Sequence, residues 1–460
     1  MRAVGKDLTE GSVFKQLIMF SVPFFLAQVL QALYSIADMF IVGKFMGDYG
    51  ISAINNSSSV IMLITMLISG FSLSGTVLVA QYIGAKQNEE ASKAIGTLFT
   101  IFIYVSIIFT FVGILLRGTI LSILNTPQEA VSEAKNYITI CFLGTIFICG
   151  YNAVSAILRG TGDSKRPLYF VAVATVINVV LDLIFVGVFN WGAGGAAFAT
   201  VLAQVFSFIL AVNTLHKSGF LFDFKLKSFK IDVNKLKLIV KIGIPSAVQS
   251  TIVNFSILFV ISSVNAYGLA ASTAAGIGAK IDSFATLPTI AVGQSVSSMV
   301  GQNLGAEKID RAKKTYFSGL ILSGIFGIII FTFVNLEGNM LFKAFGCSDE
   351  TLEIGRLYIK YCSFAYLANS VTFISNGLAT GSGNAVFAMC SAITSVILAR
   401  IPLIFLFEKI MGFGLQGIFM AFGMGQYFGM IIGILFFLSG KWKRIIIKES
   451  PKGKKEGVLQ

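Results

Sequence analysis

The stretch QYIGAKQNEEASK (residues 81–93) closes one long apolar run, and QNLGAEKIDRAKK (residues 302–314) closes another 221 positions later. Gln81, Gly84, Ala85, Ala91 and Lys93 pair with Gln302, Gly305, Ala306, Ala312 and Lys314, all at that one offset. Gly160 and Gly162 recur as Gly381 and Gly383, again at 221, and Pro23 and Pro245 differ by 222. One such coincidence would be weak. A shared offset across separate motifs marks two homologous halves.

The halves are built of apolar runs. The 460 residues are 55% hydrophobic and only 12% charged, about half the charge of a soluble domain. A span needs about 20 mostly apolar residues. Twelve segments qualify: 14–42, 51–82, 93–116, 132–158, 167–190, 194–216, 237–264, 269–302, 314–336, 354–379, 386–408 and 413–439. This pattern predicts an all-α membrane protein and excludes soluble, disordered and fibrous chains. Six spans per half, an even number, give both halves the same orientation. They are then two six-helix lobes related by a pseudo-two-fold axis along the membrane normal, with a cavity between them. The expected organisation is an N-terminal lobe at 1–216, a cytoplasmic linker at 217–236, a C-terminal lobe at 237–440 and a basic cytoplasmic tail at 441–460.

The net charge of +13 could suggest nucleic acid on a soluble protein. Here, 26 of the 35 Lys and Arg fall in loops on the side of the termini and seven on the other. Lys280 and Arg400 remain inside spans. Positive loops are cytoplasmic, so both termini are expected in the cytoplasm and the charge no longer points to nucleic acid. The five cysteines, Cys141, Cys149, Cys347, Cys362 and Cys390, have no metal-ligand spacing and read as small buried hydrophobes. The single histidine, His216, has no partner for a catalytic or metal site. An intramembrane enzyme is not expected, nor is a cofactor.

Three acids lie inside spans: Asp38, Asp182 and Asp282. A charge at the bilayer centre costs roughly 3 kcal/mol or more, so each needs a partner, a wet cavity or a function. Asp182 follows Asn178 by one helical turn and shares its face. Gln31 precedes Asp38 by two turns on the first span, and Thr200 lies early in the sixth. At about 1.5 Å per residue, Asp38, Asp182 and Thr200 lie about 6, 12 and 9 Å from the outer ends of their spans, and so could converge. Two carboxylates, a carboxamide and a hydroxyl offer oxygen ligands alone, which suits a hard cation such as Na⁺ or a shared proton. The bland alternative is helix-packing hydrogen bonds. At the 221 offset Asn178 maps to Ala399 and Asp182 to Leu403, so the cluster belongs to one half. Asp282 sits about 20 Å from the outer end of its span, near the midplane, in a hydroxyl-rich stretch. It could attract a cationic substrate, or form a structural salt bridge with Lys280 or Arg400.

These residues resemble the multidrug and toxic compound extrusion (MATE) transporters. The resemblance rests on Pro23, the run from Asp38 to Gly43, the paired Gln-x-x-Gly-Ala loops, the run from Leu158 to Asp163, and Arg400 with Pro402. It covers essentially the whole chain in order. It implies a two-lobed, twelve-helix exporter of organic cations and other amphiphiles, driven by antiport against Na⁺ or H⁺. In the branch this chain looks closest to, a first-span Asp joins an Asn-x-x-x-Asp pair and a sixth-span Thr, here Asp38, Asn178, Asp182 and Thr200. The resemblance also points to Gln31, Tyr137 and Asn152 as cavity-side residues. Another branch carries a carboxylate in the seventh span, where this chain has only Gln249 and Asn254 as polar candidates.

The expectation is therefore a monomeric multidrug antiporter of the inner or plasma membrane, working by alternating access on small cationic or amphiphilic substrates. The alternative is a flippase for a lipid-linked or other amphiphilic metabolite, whose anionic headgroup would call for basic residues in the cavity.

Overall fold

The computed structural model describes residues 5–449 except Asn125, and all their side chains except those of Asp48, Tyr49, Asn56, Lys448 and Glu449. Among these residues the regular structure is helical, with no strand. The first half holds α1 (Val13–Gly47), α2 (Gly50–Gly84), α3 (Asn88–Ile123), α4 (Gln128–Gly160), α5 (Lys165–Val188) and α6 (Gly192–Lys217). The second holds α7 (Val233–Asn265), α8 (Leu269–Gly305), α9 (Ile309–Lys343), α10 (Asp349–Cys362), α11 (Phe364–Gly381), α12 (Ala385–Ile410) and α13 (Gly414–Leu438). The sharp step between α1 and α2 is made at Gly47, whose φ of 68° suits a residue without a Cβ.

Ten of these helices are long and apolar enough to cross a membrane, which makes the chain a multi-pass membrane protein. The exterior agrees: Phe40, Phe111, Leu115 and Leu336 are each about 70% exposed, an apolar surface that water would not tolerate. The other two expected spans, 269–302 and 354–379, are helical but less apolar. Lys280, Asp282 and Gln294 interrupt α8, and Asn369 and Asn376 interrupt α11, which is set off from α10 at Ser363. Pro23, Pro245 and Pro288 all lie inside helices. Two helices carry wide π-helical turns: Leu183–Val188 ends α5, and Thr394–Arg400 and Leu406–Ile410 lie in α12. Cys141, Cys149 and Cys362 are buried as expected, but Cys347 is half-buried and Cys390 exposed.

The repeated motifs meet each other at the end of the bundle that carries both termini. Gln81 Nε2 donates to the Gly381 carbonyl at 3.0 Å, and Gln302 Nε2 donates to the Gly160 carbonyl at 2.9 Å. Each glutamine thus reaches the last residue of a helix in the other half. Both Oε1 atoms accept from a chain end, Gln302 from Leu8 N at 3.0 Å and Gln81 from Ile446 N at 3.2 Å. Gly84 lies against the Gln302 carbonyl and Gly305 against the Gln81 carbonyl, so closely that a Cβ on either would collide. Small residues permit this approach of two helix backbones.

The chain ends are tied down in the same place. Lys308 Nζ donates to the Thr9 carbonyl at 2.9 Å, and Arg311 donates to the carbonyls of Glu10 and Gly11 at 2.7 and 2.6 Å. Trp442 is buried, stacked on Phe437 and donating to its carbonyl at 3.0 Å. The segment between the halves also packs: Phe222, Phe224 and Phe229 cluster on Phe99 of α3. Lys235 is buried beside them and is paired with Glu90 at 2.6 Å, which supplies the partner a buried ammonium requires.

Candidate functional site

Gln31, Tyr34 and Asp38 fall at i, i+3 and i+7 on α1 and so form one stripe along the helix. Asn178 and Asp182 form a second stripe on α5, and Thr200 faces them from α6. These side chains come together. Asp38, Asn178 and Asp182 are buried, and the two carboxyl groups lie in hydrogen-bonding contact with each other. The amide of Asn178 is assigned from its neighbours. Its nitrogen donates to Asp182 Oδ2 at 3.1 Å, and its oxygen accepts from Thr200 N at 3.3 Å. Tyr34 OH donates to Thr200 Oγ1 at 3.1 Å.

One oxygen of each carboxyl, Asp38 Oδ1 and Asp182 Oδ1, is buried with no hydrogen-bond partner in the protein. Buried polar atoms are nearly always satisfied, so two orphan oxygens on adjacent acids are unusual. Two carboxylates in contact away from water cannot both stay ionised without a cation between them. The donor set therefore fits Na⁺ or a shared proton. No helix macrodipole or basic side chain is needed to explain it. The π-helical turn Leu183–Val188 begins directly after Asp182, and such turns often accompany functional residues.

A cavity of about 420 Å³ adjoins this cluster. It runs between α1, α2, α4, α5 and α6, with Gln294 of α8 contributed by the other half. Gln31, Asn152, Asn178 and Thr200 lie on its wall, together with Tyr34, Gln28 and Gln204. Asp38 and Asp182 stand behind that wall, and Asn178 and Thr200 face both compartments. Tyr137 lies elsewhere, buried with Cys141 and Val186 in the apolar core around the acid pair.

Asp282 is half-buried in the second half and forms neither of the salt bridges considered from sequence. Tyr358 OH donates to its Oδ2 at 2.5 Å and Tyr366 OH donates to its Oδ1. Arg400 is buried, donates to Ser256 Oγ at 2.5 Å and lies 4.5 Å from the centre of the Phe422 ring. Lys280 is exposed.

Sequence reasoning missed several groups at the first site and its cavity: Gln28, Gln204 and Gln294, and above all Tyr34 and Arg159. Tyr34 stands one turn before Asp38, a spacing that could have found it. Arg159 lies one residue beyond the apolar run 132–158, among the loop charges, yet its side chain reaches the cavity wall. Among the described residues no group of three or more His, Cys, Asp or Glu gathers as a metal site.

The chain is similar to known proteins in both sequence and fold. The MatE family model matches the chain twice, over residues 23–184 and 245–406. The chain is 30% identical to the probable multidrug resistance protein YpnP of Bacillus subtilis, over 95% of its own length and 97% of that protein. It is 25% identical to the probable multidrug resistance protein NorM of Thermotoga maritima, over 95% of each chain. It is 24% identical to the multidrug export protein MepA of Staphylococcus aureus, over 89% of its own length and 90% of that protein. Its fold is similar to the outward-facing conformation of a multidrug resistance MATE family transporter, with a TM-score of 0.89 and 20% identity over 95% of this chain and 98% of that one. It is also similar to a MATE structure in the bent conformation, with a TM-score of 0.88 and 20% identity over 96% and 97%. The chain belongs to the MatE family, the multidrug and toxic compound extrusion transporters.

Proposed function

We propose that this chain exports amphiphilic small molecules, organic cations among them, by antiport against Na⁺ or H⁺. The observation that carries the reading is the buried Asp38–Asp182 pair, which sits behind a cavity wall made in part by its own neighbours Asn178 and Thr200. Antiport needs two ligands that disfavour each other's bound state. Binding of Na⁺ or a proton at the pair neutralises the repulsion between the carboxyls. It also fixes the Asn178 amide and Thr200, the groups a substrate meets from the cavity side. Asp38, Asn178, Asp182 and Thr200 are then the coupling site. Gln31 and Asn152 contact substrate, Tyr137 supports the pair from the core, and Asp282 offers a carboxylate to cationic substrates from the other half.

The architecture proposed with this function is twelve spans in two six-helix lobes, 1–216 and 237–440, related by a pseudo-two-fold axis and joined by the linker 217–236. The double match of the family model and the reciprocal Gln81 and Gln302 contacts support that symmetry. The lobes alternate access about the cavity. The loop charges favour both termini, with the tail 441–460, in the cytoplasm of an inner or plasma membrane. Residues 1–4 and 450–460 of those segments lie outside the described residues. The protein is proposed to act as a monomer, without a cofactor, and as a transporter rather than an enzyme.

Efflux of a fluorescent organic cation from proteoliposomes, with Na⁺ and pH gradients imposed separately, tests the reading. One of the two gradients should drive it. Dependence on neither would sink the antiport proposal. A second reading, a flippase for an amphiphilic metabolite, gains weight from one observation: the cavity wall carries a basic residue, Arg159.

A further inference from the structure

The side chains around the cavity do not match a receptor for simple cations. Among the described residues its wall holds six carboxamides and no carboxylate, and Arg159 is the one charged group on it. Asp38 and Asp182 are turned away from it, into contact with each other. Arg159 lies in the last turn of α4, next to Gly160, and its guanidinium stands 5.4 Å from the centre of the Phe24 ring. Among the described residues it makes no ion pair; the nearby Asp163 pairs with Arg166 at 3.4 Å instead. A half-buried guanidinium on an aromatic shelf, without an acid, keeps its planar fork of donors for another partner.

The repeat sharpens this. At the 221 offset Arg159 corresponds to Thr380, whose hydroxyl is occupied with Ser297 at 3.1 Å and the Asn376 carbonyl at 2.8 Å. The cation therefore belongs to the half that holds the cavity, as the acid pair does. A role in neutralising the α4 terminus alone would suit either half equally.

We propose that the cavity selects amphiphiles that carry an anionic group, zwitterions included, and that Arg159 binds that group. The carboxylate, phosphate or sulfonate sits at the terminus-bearing end of the cavity in a charge-assisted, bidentate contact. The apolar or aromatic body lies along Phe24, Ile148 and Val171, and the carboxamides take its polar substituents. The inference rests on the cavity being the substrate site proposed above. It departs from that reading in making an anionic group, not a positive charge, the feature recognised.

A matched pair of fluorescent xanthene dyes tests it: one with a free carboxylate, zwitterionic at neutral pH, and its methyl ester, a monovalent cation. Binding to the purified full-length protein is read by fluorescence anisotropy, and uptake by proteoliposomes under an imposed gradient. The wild type should bind the carboxylate dye at least about tenfold more tightly than the ester, the scale of a charge-assisted contact. Arg159→Gln should remove that preference and leave ester affinity within about twofold, while Arg159→Lys should keep part of it as a point charge. Equal or tighter wild-type binding of the ester overturns the proposal, and so does an equal loss for both dyes in Arg159→Gln. Should Arg159→Gln not fold, the wild-type comparison and Arg159→Lys still decide. The two readings fail separately. A carboxylate preference without gradient-driven uptake of either dye refutes antiport and keeps this inference. Gradient-driven uptake of the ester with no preference for the carboxylate does the reverse. Competition by a short-chain phosphatidylglycerol identifies the source of the group: displacement of the dye, lost in Arg159→Gln, supports a lipid headgroup as ligand. Displacement that persists in Arg159→Gln counts against Arg159 as the reader.

Discussion

Asp182 Oδ2 accepts from Asn178, while its Oδ1 is buried without a hydrogen-bond partner in the protein, open to the ion proposed for it. If the pair holds the coupling ion, Asp38→Asn and Asp182→Asn should each lower gradient-driven efflux at least about tenfold, a loss of ~1.4 kcal/mol or more. Neither should unfold the protein, because a carboxamide fills the same space. A ligand present at 100 times its Kd stabilises by about 2.7 kcal/mol, so Na⁺ should raise the wild-type Tm if it is the coupling ion and leave both variants flat. Full efflux by Asp38→Asn would end the assignment. How far this site was legible in the sequence depends on the length of each side chain. Asn178 and Asp182 are short and point where their helix positions say, so the four-residue spacing was enough to place them together. Arg159 was not legible, because a guanidinium on a long stem ends several ångströms from its own Cα. Counting charges by loop assigns the backbone and says nothing of the tip. The partners of Asp282 were missed for a related reason: Tyr358 and Tyr366 lie some 80 residues away on α10 and α11, and apolar rings with hydroxyls give no charge signal to pair with an acid.

At the level of elements, periodicity located the helices and could not describe their irregularities. The twelve apolar runs became helices, but nothing in the sequence announced the π-helical turns after Asp182 and through Arg400, or the division of one expected span at Ser363. Such turns depend on one extra residue accommodated by tertiary packing. Helices α8 and α11 lie in predicted spans but are not among the ten helices long and apolar enough to cross a membrane. Their polar side chains face other helices: Asp282 meets Tyr358 and Tyr366, and Gln294 meets the cavity. The glycines of the repeat were legible as motif and not as mechanism. Only the structure shows that Gly84 and Gly305 let α2 and α8 touch through their backbones. Gly84→Ala and Gly305→Ala should therefore each cost about 1–3 kcal/mol by overpacking, read as a lowered Tm in detergent. Gly118→Ala, at a position with open space around it, is the control and should leave the Tm unchanged.

Across the whole molecule, four of the hydrogen bonds that join the two halves at one end involve two glutamines, beside those of Lys308 and Arg311. Each glutamine gives one and accepts one, at about 1 kcal/mol apiece, so Gln81→Ala or Gln302→Ala should shift a conformational equilibrium by about 2 kcal/mol, or roughly 30-fold, towards opening at that end. A cysteine at Ser155, buried on the cavity wall, reports it. On a background without the native cysteines, an impermeant thiol reagent added on the side of the termini should label Ser155→Cys faster in either glutamine variant. Unchanged labelling would mean that the contact is not a gate. The same geometry bears on how the protein is handled. Leu8 and Ile446 supply two of the four contacts, and Gly5 lies against the Thr161 carbonyl, so the chain ends are wedges in the closure rather than loose strings. A purification tag ahead of Met1, itself four residues from Gly5, is then no neutral handle: it pulls on the latch. Tagged and tag-cleaved protein should differ in Ser155→Cys labelling, whereas an epitope inserted at Leu226, 91% exposed on the connecting segment, should not alter it.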